Sequence, residues 1–90
     1  GLSELNKTTF LKAYPNPSNG SFMLELDAFE NGNAIVELMD VIGKTVVSET
    51  RKMVDGKNLM IFNVDAPAGF YIVRVKTPTE IIETRITIAK

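Results

Sequence analysis

Apolar residues in this chain recur at every second position in short bursts, and Gly, Pro and Asn break the bursts at intervals of roughly 8–12 residues. Successive side chains of a strand point to opposite faces, so the pattern describes strands buried on one side. The clearest is Ser21 to Asp27, with Phe22, Leu24 and Leu26 on one face and Ser21, Glu25 and Asp27 on the other. Phe10 to Tyr14 reads as a short first strand, and Ala34 to Met39 as a third with Val36 and Leu38 inward. Lys44 to Arg51 returns beside it as a hairpin partner. Leu59 to Val64 then sends Met60, Phe62 and Val64 to one face, and Phe70 to Lys76 sets Tyr71, Val73 and Val75 against Ile72, Arg74 and Lys76. Ile81 to Ala89 completes about seven strands. No stretch carries the apolar stripe of an amphipathic helix, so the chain is predicted to be all-β, a sandwich or barrel.

The breaks have identifiable chemistry. Pro15 and Pro17 lack the N–H that a ladder needs and hold Tyr14 and Asn16 extended, after which Ser18, Asn19 and Gly20 turn the chain. Glu30 to Asn33 is a turn around the Asn31-Gly32 pair, and Asp40 to Gly43 is a tight connection with Gly43 in a left-handed position. Val54 to Lys57 reads as a further turn, Asp65 to Gly69 as a crossing between sheets, and Thr77 to Thr79 as the last turn.

Ninety residues suffice for one core, because a chain this short buries only roughly 60–65% of its unfolded surface. At 44% hydrophobic and 23% charged, the composition is that of a folded, soluble module. The division expected is a folded domain over residues 10–90, preceded by residues 1–9 as a linker or a remnant of cloning. Ten basic and eleven acidic residues are interspersed without a basic stripe, which argues against nucleic acid and against anionic membrane surfaces as partners. No apolar run approaches the ~20 residues that span a bilayer, so direct membrane insertion is not expected. The N-terminus lacks the basic start and apolar core of a signal peptide, and any address for an inner membrane is expected on another part of the protein.

Histidine and cysteine are both absent, which removes disulfides, the commonest general base and the commonest soft metal ligands together. No catalytic residue, metal site or cofactor is assigned. Glu25 and Asp27 share a strand face about 7 Å apart, a spacing open to acid–base work, but they read as the solvated side of a half-buried strand. Asp27, Glu30, Asn31, Asn33 and Asp40 carry oxygens suited to calcium, yet their spacing fits no helix-loop-helix site and they read as turn formers. Tyr71, just after Gly69, has the position of a tyrosine corner, in which the hydroxyl bonds to backbone upstream.

Taken in order, four features are more specific than any one of them. Tyr14, Pro15, Asn16, Pro17 and Gly20 form a Y-P-N-P-x-x-G opening, Asp40, Gly43 and Lys44 a D-x-x-G-K hairpin, and Gly69 and Tyr71 a G-x-Y, before a β-rich tail ending at Lys90. In these features the chain resembles the C-terminal sorting domain of the type IX secretion system, type A, from about Phe10 to Lys90. Two departures stand out: Ala66 lies where leucine usually precedes Pro67, and Arg85 where lysine is commoner.

The resemblance implies an Ig-like antiparallel sandwich of about seven strands at the C-terminus of a larger exported protein in a Bacteroidetes-type bacterium. It implies that the cargo crosses the periplasm and is delivered to the cell surface or medium. The partners implied are the outer-membrane secretion machinery and its sortase-like attachment complex, which in many members removes the domain. The recognised surface is expected on the last strand, Thr84 to Lys90, together with the Tyr14 to Gly20 turn, with strand addition at an open sheet edge as the route. Its residues are Tyr14, Pro15, Asn16, Pro17, Gly20, Arg85, Ile86, Ile88 and Lys90, while Gly43, Lys44, Gly69 and Tyr71 shape turns. Cleavage would fall in the polar stretch before Phe10. The alternative is an Ig-like accessory or adhesion module that binds carbohydrate or protein, which clustered exposed aromatics would favour; most of the seven aromatics fall on predicted inward faces.

Overall fold

The computed structural model describes residues 10–90, so the segment read as a linker, with its cleavage position, lies outside the described residues. Seven strands follow in order: β1 (Phe10–Tyr14), β2 (Ser21–Ala28), β3 (Gly32–Met39), β4 (Thr45–Met53), β5 (Gly56–Asn63), β6 (Gly69–Lys76) and β7 (Ile81–Ile88). They form two antiparallel sheets, β1-β2-β5 and β4-β3-β6-β7, and no helix occurs among the described residues. This is the expected Ig-like sandwich, in a form whose fourth strand pairs with β3 in the larger sheet.

The inward positions are the ones alternation selects. Phe22, Leu24 and Leu26 of the smaller sheet meet Val36, Leu38, Tyr71, Val73, Val75, Ile86 and Ile88 of the larger, all buried in one cluster. Within the smaller sheet the cross-strand partners Phe22 and Phe62 stack with centroids 5.5 Å apart and planes at 17°. Such a pair adds about 0.5–1.5 kcal/mol to the area it buries.

Strand limits differ most around β4 and β5. The predicted turn over Val54 to Lys57 contracts to Val54 and Asp55, because β4 runs on to Met53, which is buried, and β5 starts at Gly56 opposite Ala28. Asn58 makes this possible. Its side-chain oxygen accepts from Val54 N–H at 2.9 Å, and its amide donates to the carbonyls of Val54 (2.9 Å), Leu26 (3.1 Å) and Gly56 (3.1 Å).

β4 is an edge strand, and its inward face carries charges that alternation alone would place in solvent. Glu49 lies opposite Val36 and Arg51 opposite Ala34, and the two form an ion pair of 2.8 Å. The Arg51 guanidinium stands 4.3 Å over the Phe62 ring and donates to the Ile61 carbonyl of β5 at 3.0 Å. One side chain thus closes the open flank between the sheets by stacking and by satisfying an edge carbonyl.

The turns at one end of the sandwich are tied to one another. Asn31 accepts from Asp55 N–H at 2.9 Å, and Thr79 bonds to the Glu30 carboxylate. The opposite end gathers the Pro15 to Gly20 turn, the Asp40 to Lys44 hairpin and the crossing after Val64.

Candidate functional site

At that opposite end the chain leaves the smaller sheet after Tyr14 and lays itself along the free edge of β7 in the larger one. The peptide bonds before Pro15 and Pro17 are both cis. Between the prolines, Asn16 uses its side chain as a strand would use its backbone. Its amide donates to the Arg85 carbonyl at 3.3 Å, and its oxygen accepts from Thr87 N–H at 2.9 Å. Ser18 continues with true backbone bonds, donating to the Thr87 carbonyl and accepting from Ala89 N–H, each at 2.8 Å, as a parallel bridge.

The outer edge of β7 from Arg85 to Ala89 is therefore already paired, and the segment covering it includes Pro15 and Pro17, which have no N–H to offer. Prolines on an edge blunt further strand pairing. Strand addition along the terminal part of β7 would have to displace Asn16 and Ser18.

The turn behind is held tightly. Ser18 Oγ donates to the Ser21 carbonyl at 2.7 Å and accepts from Gly20 N–H at 3.0 Å, while Gly20 accepts from Val64 N–H at 2.8 Å. Lys90 reaches the Asp65 carboxylate at 3.3 Å, an exposed pair of small energetic weight.

The residues expected to form one surface divide into three groups. Asn16 and Arg85 meet on the outer face of the larger sheet. Tyr14 turns instead to the outer face of the smaller sheet, where its hydroxyl lies 3.4 Å from Glu25 and Lys12 sits over its ring. Ile86 and Ile88 point into the core, so their side chains are spent on packing. Gly69 and Tyr71 take up the corner: the Tyr71 hydroxyl donates to the Pro67 carbonyl at 2.6 Å. In the hairpin, Asp40 accepts from Ile42 and Lys44 N–H at 3.0 and 2.9 Å, and Gly43 N–H closes on the Asp40 carbonyl at 3.0 Å.

Tyr71→Phe removes one short hydrogen bond and leaves the ring in place, so a loss of about 1–2 kcal/mol is expected in chemical denaturation. An unchanged midpoint would show that water replaces the hydroxyl at Pro67.

Beside the Asn16 latch is an open groove of about 550 Å³, lined by Asn16, Val41, Phe70, Ile72, Arg85 and Thr87 together with Tyr71 and Ile86. Register explains it. Phe70 faces Thr87 and Ile72 faces Arg85 across β6 and β7, and the β3–β4 hairpin supplies Val41 as a wall. Phe70 is 71% exposed, Val41 73% and its neighbour Ile42 83%. Sequence reasoning placed Ile72 outward and passed over Phe70 and Val41; the visible signal was two aliphatic residues at the centre of a turn whose bonds need only Asp40 and Gly43.

One earlier expectation changes here. Three of the seven aromatics, Phe10, Phe29 and Phe70, are exposed, so fewer point inward than alternation suggests. Phe10 and Phe70 belong to opposite sheets and opposite outer faces, and so form no shared stacking platform. Of the oxygen-bearing turn residues, Asn31 is occupied with Asp55 N–H and Asp40 with its own hairpin.

A family model described as the secretion system C-terminal sorting domain matches residues 12–89. No curated protein matches the chain.

Proposed function

Because the chain belongs to the secretion system C-terminal sorting domain family, a C-terminal type IX sorting signal, we propose that it acts as a folded label. On this reading the outer-membrane machinery grips it while a larger cargo waits in the periplasm. The observation that carries the proposal is the meeting of the opening turn and the last strand. Asn16 and Ser18 close the β7 edge over Arg85 to Ala89, and the same residues border the groove of Phe70, Ile72 and Arg85. With that edge occupied, side chains on the outer face become the surface available to a partner. Removal of the domain by a sortase-like peptidase belongs to the same proposal, with the cut before Phe10.

A periplasmic fluorescent protein fused to residues 10–90, expressed in a bacterium with a type IX apparatus, should appear at the surface or in the medium. Mass spectrometry of the exported reporter should find its new C-terminus upstream of Phe10. Retention of the fusion inside the cell, with the domain shown to be folded, would refute the sorting role; export with an intact junction would refute only the cleavage.

A further inference from the structure

Arg85 stands on an outer face where the cations of β6 already have acids. Arg74 binds Glu83 at 2.8 Å and Lys76 binds Glu37 at 3.5 Å on the same outer face. Glu83, two residues from Arg85 on the same strand face, is thus already committed, and no carboxylate among the described residues pairs with Arg85. Arg85 lines this groove and a smaller concavity bounded by Ile72, Glu83 and Thr84. Around it, Phe70, Ile72 and Val41 offer apolar surface that the core does not use, continued by Ile42 at the hairpin tip.

Resting on the sorting role, we propose that this groove receives an extended segment of a partner protein that presents an acidic side chain to Arg85 and apolar side chains to Phe70, Ile72 and Val41. A guanidinium meets a carboxylate through two parallel hydrogen bonds, and that pairing strengthens as flanking apolar surface excludes water. A volume of about 550 Å³ suits a few side chains. The charge pattern favours a single carboxylate over a polyanion. Glu37 and Glu83 stand on the same face and the chain's formal charge is −1, whereas anionic lipid or nucleic acid is held by clusters of unpaired cations.

The test uses the whole chain, isotopically labelled, titrated with a short acetylated and amidated peptide alternating Val and Glu. The matched Val and Gln peptide and phosphatidylglycerol vesicles are titrated in parallel. Saturable amide shifts are expected at Phe70, Ile72, Arg85 and Thr87 with the Glu peptide. Binding should be about tenfold weaker for the Gln peptide and for Arg85→Gln, the loss of one charge-assisted contact, with Arg85→Lys in between. Equal response to both peptides, no response, or response to the vesicles alone would overturn the proposal. In the export assay, Arg85→Gln should retain the reporter in the cell while its thermal midpoint stays that of the parent. Export of that variant at the parental level would overturn the groove assignment with the sorting role intact, whereas failure of the unaltered fusion would count against the sorting role itself.

Discussion

Asn58→Leu should lower the stability of the domain by about 3 kcal/mol, although leucine is larger, more apolar and better suited to a strand. Asn58 is buried, and its amide and oxygen hold four backbone groups: Val54 N–H and the carbonyls of Val54, Leu26 and Gly56. Leucine removes every partner and supplies none. Each backbone group left buried without one costs about 1–3 kcal/mol, and water can reach only those nearest the turn. Asn58→Asp keeps the acceptor for Val54 N–H but sets carboxylate oxygens against three carbonyls, so a loss of similar size is expected. Guanidinium denaturation of both variants beside the parent measures this. A loss below about 1 kcal/mol for leucine would mean that solvent, rather than Asn58, satisfies the turn. Domains of this size hold about 5–15 kcal/mol in total, so the change should be plain.

That one residue also marks where the sequence stopped being legible. Alternation identifies the inward faces of β2, β3, β6 and β7 because those strands carry long runs with one apolar and one polar side. It identifies the Asp40 to Lys44 hairpin and the Tyr71 corner because each is a local device, complete within a few residues. Gly56 and Lys57 instead look like the end of a turn, since their composition is a turn's; only the pairing of Gly56 with Ala28 makes them the start of a strand. The inward Glu49 and Arg51 are hidden for a related reason. A charge can face the core side of an edge strand when it overhangs the flank, and which strand is an edge is decided by the sheet order β4-β3-β6-β7. The groove is further still from the sequence. Val41, Phe70 and Arg85 come from three separate segments and become neighbours only through register. The opening turn was visible as a motif, but its docking on β7 depends on the Asn16 side chain imitating a strand across 69 to 71 residues of chain.

Gly20→Ala is expected to cost about 3 kcal/mol, and Gly43→Ala about 1 kcal/mol, although both glycines have positive φ. Gly20 has φ 115° and Gly43 φ 87°, so any side chain at either position meets backbone strain. They differ in what surrounds them. A Cβ at Gly20 would lie 2.6 Å from the Val64 carbonyl oxygen, whereas nothing lies within 4 Å of one at Gly43. Relief at Gly20 requires the turn to move away from Val64, and the Gly20 carbonyl accepts from Val64 N–H at 2.8 Å, so the same shift breaks that bond. In a domain of this length 1 kcal/mol corresponds to about 4–8 °C, which puts the thermal midpoints of the two variants about 8–16 °C apart. Equal midpoints would show that the turn yields freely and that close packing against Val64 does not anchor it. The difference reaches function through geometry, because the strand that starts after Gly20 and the latch that precedes it share one turn. A displaced Gly20 carries Ser18 with it, loosens the cover over Thr87 and Ala89, and leaves β7 an open edge where the folded domain presents a closed one.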